Sequence, residues 1–98
     1  MITRIVKLTF NKKNVPDFLK IFNDSKNQIR NFEGCKYLAL YHDINNTNVF
    51  FTYSIWEGPE YLEKYRNSEL FKNTWAQTKI LFSAKPEAWS LENDATLA

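Results

Sequence analysis

The chain reads as an α+β domain, a four-stranded antiparallel sheet with two helices on one face, in the order β-α-β-β-α-β. Three observations carry that expectation. Segments 2–10, 35–42, 49–56 and 85–91 are rich in β-branched and aromatic residues. Between the first and second, and between the third and fourth, apolar residues recur at helical spacing. The two middle strands are separated only by Asp43 and the polar stretch Ile44 to Asn48, too short for anything but an antiparallel hairpin.

Residues 2 to 10 carry Ile5, Val6, Leu8 and Phe10, the composition of a strand buried in part on both faces. Asn14 is placed to cap a helix, with Pro16 in its first turn and Asp17 complementing its dipole. Val15, Phe18, Leu19, Phe22 and Ile29 form the apolar stripe of that helix, which is expected to run to about Phe32. Gly34 supplies the left-handed backbone that ends it. The Asn-rich turn is expected to use the tolerance of Asn for positive φ.

Gly58-Pro59 opens the second helical segment, with Glu60 and Glu63 near its positive end. Ser68 is a second N-cap candidate, so a break or kink is expected there before the helix continues through Leu70, Phe71, Trp75, Thr78, Leu81 and Phe82. Pro86 marks the last strand, Lys85 to Leu91, as an edge or a strand start, and Trp89 is expected to point inward. Residues 1–92 make one domain and 93–98 a frayed tail. This element order is the split βαβ arrangement called ferredoxin-like.

That arrangement leaves one sheet face bare, yet both middle strands are apolar on both faces. Tyr37, Ala39 and Tyr41 alternate with Leu38 and Leu40, and Phe51, Tyr53 and Ile55 with Phe50 and Trp56. A chain of 98 residues cannot cover two faces of a sheet by itself. A two-fold partner packing sheet against sheet is the expected cover, since large apolar patches are rare on monomers. Aromatics at 16% exceed what a small core needs and also suggest a lined pocket.

A net charge of +2 with 24% charged residues, interspersed in sign, points to no nucleic acid and no membrane. No apolar run approaches the roughly 20 residues of a bilayer span. The single Cys35 suits a reducing compartment and Met1-Ile2-Thr3-Arg4 lacks the apolar run of a signal peptide, so a cytoplasmic location is expected. One His and one Cys cannot supply the clusters that zinc or iron sites use, so no metal is expected. A serine-nucleophile elbow is absent from a chain with two glycines.

The segments Phe32-Glu33-Gly34, Tyr41-His42 and Tyr53-Ser54-Ile55-Trp56-Glu57, followed by a helix carrying Asn67-Ser68-Glu69-Leu70-Phe71, resemble the antibiotic biosynthesis monooxygenase family. The resemblance covers nearly the whole chain. It implies a homodimeric α/β barrel, with a pocket between sheet and helices in each subunit. It further implies oxidation of small aromatic, phenolic or quinol-type compounds by O₂ with no cofactor. His42 and Trp56 resemble the His and Trp of the anthrone-type hydroxylases, while Thr52 stands where those enzymes have Asn and Tyr65 where many members have His. A haem-degrading branch carries Asn, Trp and an axial His at positions that fall here on Val6, Tyr65 and Trp75, leaving no axial ligand.

Oxygenation without a cofactor makes the substrate its own reductant, so the protein must supply a dry pocket, a proton acceptor and donors for an oxyanion. His42, the only histidine, is the expected acceptor. Trp56 and Thr52 are the expected oxyanion donors, and Tyr53, Tyr65, Trp75 and Phe71 the substrate-binding wall. Against each stands an ordinary role. A His at a strand end is commonly solvated, aromatic stripes commonly pack, and the hydroxyls of Thr52 and Thr78 can bond backbone carbonyls.

Two rival functions remain at this level. The first is an RNA-recognition module, which shares the element order, but Asn48 to Ile55 lacks the Gly and basic residue of the ribonucleoprotein signature. The second is a non-catalytic or isomerase-type dimeric barrel that binds a small aromatic metabolite.

Overall fold

The computed structural model describes all residues 1–98. Strand β1 (Ile2–Thr9) leads through a 3-10 turn (Lys12–Asn14) into α1 (Val15–Arg30), followed by β2 (Cys35–His42) and β3 (Val49–Trp56). Helices α2 (Pro59–Arg66) and α3 (Glu69–Lys79) precede β4 (Glu87–Leu91). The strands form one antiparallel sheet in the order β2-β3-β1-β4, the ferredoxin-like topology. Three helices, rather than two, cover one face.

The third helix arises where Ser68 stands. Its hydroxyl accepts the Phe71 N–H at 3.1 Å and donates to the Tyr65 carbonyl at 2.6 Å. The cap that starts α3 therefore also closes α2. At the start of α1 the expected cap is not used, because Asn14 is itself drawn into the 3-10 turn and its side chain makes no capping bond. Gly34 adopts φ +84°, as a helix-ending glycine should. No other residue has positive φ, so the hairpin closes differently from expectation. The Asp43 carboxylate accepts the backbone N–H groups of Asn45 and Asn46 at 2.8 and 3.1 Å, an Asx turn that spares the asparagines a left-handed backbone.

Register decides which side chains meet the helices. Arg4, Val6 and Leu8 of β1 lie opposite Ser54, Thr52 and Phe50 of β3, while Leu38 and Leu40 of β2 share that face. An irregularity between Cys35 and Tyr37 turns Cys35 inward to pair with Trp56. Two buried clusters result. In one, Phe10 stacks on Phe18 at 4.4 Å and on Phe82 at 5.3 Å, with Leu8 and Phe50 alongside. In the other, Cys35, Trp56 and Leu62 pack with Phe32 and Tyr65.

The opposite face carries Ile5, Tyr37, Tyr41, Phe51, Tyr53 and Ile55 with nothing over them. Trp89 belongs to this face and not to the interior. It pairs with Ile5 and is 42% exposed, because β4 starts at Glu87 and the pleat then sets Ala88 and Ser90, not Trp89, under the helices. Residues 92–98 contain no helix or strand. No helix is long and apolar enough to cross a membrane.

Candidate active site

Between the sheet and the helices lies a cavity of about 380 Å³, within the range of small-molecule sites. Its walls draw on both buried clusters, since Leu8 and Phe18 line it as well as Trp56 and Leu62. One side is a chain of aromatic contacts. Trp56 stacks on Tyr65 at 5.0 Å, Tyr65 meets Phe71 edge-on at 5.3 Å, and Phe71 stacks on Trp75 at 5.8 Å. These four come from three elements. Trp56 ends β3, Tyr65 lies in the last turn of α2, and Phe71 and Trp75 are one turn apart on α3, so the Ser68 junction brings the aromatics of both helices together.

The polar groups of the cavity fall into two kinds. Thr74 and Thr78 donate to the carbonyls of Leu70 and Thr74, each at 2.8 Å, and are thus occupied by their own helix. The hydroxyls of Thr52 and Tyr65 have no partner within the chain, and every fully enclosed side-chain polar atom does have one, so both hydroxyls open onto the cavity. Burial pushes the Tyr65 phenol well above its usual range, with the nearby Cys35 thiol adding to the shift. Tyr65 therefore stays protonated and acts as a hydrogen-bond donor. Burial likewise raises the Cys35 thiol, which a backbone hydrogen bond at Tyr37 and the charge of Arg30 partly offset.

Trp56 is 1% exposed and its indole N–H donates to the Ser54 hydroxyl at 3.0 Å. That bond changes its expected part. The indole holds Ser54, and Ser54, whose own proton remains free, is the donor that faces the cavity beside Thr52.

The seven residues singled out in the sequence are not all in one place. Thr52, Trp56, Tyr65, Phe71 and Trp75 line the cavity. Tyr53 does not, because the pleat of β3 turns it to the uncovered face, edge-on to Tyr37 at 5.7 Å. His42 also lies outside. It ends the edge strand β2, its ring contacts Phe50 edge-on at 6.0 Å, and it borders a separate depression with Lys12, Pro16 and Thr47. No histidine lines the main cavity, so its walls offer no imidazole to haem iron. No group of three or more His, Cys, Asp or Glu side chains comes together anywhere in the chain.

Among the cavity residues that the sequence did not single out are Ser54, Arg4 and Arg66. The signal for two of them was phase. Arg4 shares its strand parity with Ile2, Val6 and Leu8, and Ser54 shares that of Thr52 and Trp56, so each is a polar group on the buried side.

Residues 1–77 match the family model described as antibiotic biosynthesis monooxygenase, and the chain belongs to that family. Solved structures share its fold at low identity. A crystal structure of an antibiotic biosynthesis monooxygenase superposes with a TM-score of 0.91 at 13% identity, covering 97% of this chain and 100% of the other. A conserved protein from Methanosarcina mazei Go1 gives 0.89 at 17%, with 96% and 94% covered. Rv0793 from Mycobacterium tuberculosis gives 0.89 at 14%, with 99% and 98% covered. At these identities the likeness is one of fold. No curated protein matches the chain.

Proposed function

We propose that this protein is a cofactor-independent monooxygenase that oxidises a small aromatic, phenolic or quinol-type substrate with O₂ in the cavity beneath its helices. One observation carries the reading: the aromatic cavity of about 380 Å³ exposes the hydroxyls of Thr52, Ser54 and Tyr65, all free to donate toward one bound molecule. The aromatic wall would hold a flat ring and exclude water, which strengthens each polar contact inside. Hydrogen bonds from the hydroxyls would stabilise a phenolate over the phenol and lower the cost of forming the electron-rich anion.

That anion passes an electron to O₂, and recombination forms a carbon–oxygen bond. For an anthrone-type carbon, one oxygen atom enters as a carbonyl and the other leaves as water with that carbon's two hydrogens, so the substrate supplies every electron. His42 stands outside the cavity of its own protomer, so the proton is assigned to solvent at the cavity mouth. Trp56 positions Ser54 and does not touch substrate through its N–H.

The functional unit is proposed to be a homodimer. The sheet face carrying Tyr37, Tyr41, Phe51, Tyr53 and Trp89 is apolar and uncovered, and a second copy offers a matching surface through a two-fold axis.

O₂ uptake by chelator-treated protein across quinols, anthrones and flavonoids tests the catalytic reading. At least one class should be consumed, and Tyr65→Phe should slow it about ten-fold, the low end for one positioned donor or acid. Silence across the panel would leave the non-catalytic, aromatic-binding alternative in its place.

A further inference from the structure

The cavity is not uniformly apolar: its open end carries two guanidinium groups. Arg4 lies on the helix-facing side of β1, opposite Ser54 on β3 and Ser90 on β4, and Arg66 closes α2 above it. Both line the cavity. Arg4 spends one nitrogen on the Ser90 hydroxyl, at 3.0 Å, which leaves most of its donor fork unused. The one acidic side chain that answers this pair is Glu63. It meets Arg66 at 3.5 Å in a solvent-facing contact, with the two side chains 46% and 63% exposed. An exposed pair of this kind contributes little and does not neutralise Arg4.

Two like charges beside a cavity with one peripheral counter-charge are a standing repulsion. Its effect is legible on Arg4, whose guanidinium is held below its ordinary pKa first by burial and then by Arg66, with Glu63 only partly opposing. A ligand that places negative charge between the two guanidiniums relieves both burdens. Glu87, the acidic residue of the cavity wall, sits opposite Lys7, three residues along β4 from the partner of Arg4, and its carboxylate pairs with Lys7 at 3.7 Å.

We propose that the natural ligand is an aromatic acid, with its rings against Tyr65, Phe71 and Trp75 and its carboxylate held at the cavity mouth by Arg4 and Arg66. The proposal rests on the cavity reading above and narrows its substrate class. Carboxylates suit this pair because a guanidinium fork matches two oxygens at once.

Binding, rather than turnover, provides the test. The full chain is titrated with 2-naphthoate and with its neutral analogue 2-naphthamide, followed through quenching of the cavity tryptophans. Naphthoate should bind about ten-fold or more tightly, the worth of one charge-assisted hydrogen bond, and added salt should shrink that preference. Arg4→Gln and Arg66→Gln should each remove most of the preference, weakening naphthoate far more than naphthamide. Should Arg4→Gln fail to fold, Arg66→Gln, on the surface, decides alone.

Equal affinity for the two probes overturns the proposal. So does binding of neither, or a loss in the variants that falls equally on both. A carboxylate preference without O₂ consumption removes the oxygenase reading and leaves this one standing, whereas oxidation of neutral phenols without any such preference does the reverse.

Discussion

Replacing Ser54 by alanine deletes the acceptor of the Trp56 indole, and the cost can be worked from the geometry. The bond is 3.0 Å long, Ser54 is 7% exposed and Trp56 1%, so the indole N–H is left buried without its acceptor. An orphaned buried donor costs about 1–3 kcal/mol, and since the cavity gives water some access the lower half of that range applies. For a domain of 98 residues, about 1–2 kcal/mol corresponds to a fall in Tm of roughly 4–16 °C. Trp56→Phe loses the same bond together with packing against Phe32 and Tyr65, and should cost about 2–3 kcal/mol. The double variant loses the bond only once. Its destabilisation should therefore fall short of the sum of the singles by about 1 kcal/mol. Urea denaturation at one fixed protein concentration measures all three, the concentration being held because association shifts apparent stability. Additivity within about 0.5 kcal/mol would mean that the indole N–H is satisfied elsewhere and would refute the assignment of Ser54 as a residue held by Trp56.

Three further outcomes are expected. Gly34→Ala should lower stability by about 2–4 kcal/mol, since φ is +84° and the added Cβ would collide with the Tyr61 ring; an unchanged urea midpoint would contradict that geometry. Asp43→Ala should be most damaging near neutral pH. The Asn45 and Asn46 amides depress the Asp43 pKa in the folded state, so its contribution is complete above the unfolded carboxylate's titration and lost as pH falls through the folded value. Thermal melts at pH 7 and pH 3 should show the gap between wild type and variant closing on acidification, and a constant gap would be the contrary result. Tyr53→Lys, on the uncovered sheet face, should reduce the light-scattering mass from twice 11.7 kDa to the mass of one chain. A wild-type protein that scatters as a single chain at micromolar concentration would end the homodimer proposal.

The sequence and the structure divide the credit along physical lines. Strands β2 and β3 were legible to the residue because their apolar runs are bounded by Gly34, the Asp43 to Asn48 turn and Gly58, all local signals. The break at Ser68 was legible for the same reason, since capping acts within one turn. Asn14 misled because two local solutions competed for it, and the 3-10 turn won. Trp89 misled because β4 is exposed along its whole length, leaving no buried alternation to read, so its phase came only from its partner β1.

What the chain's composition and periodicity determined alone is the element order and an aromatic-rich sheet with more apolar surface than one protomer can cover; the family resemblance directed attention to the site residues, five of which meet in the cavity. Position within the pleat was left to tertiary structure. Only the pairing of β1 with β3 puts Arg4 and Ser54 on the helix side, sends Tyr53 to the other face and leaves His42 at the sheet's far edge. A side chain's role as donor, wall or surface depends on which face its strand presents, and that choice is made by neighbours far away in sequence.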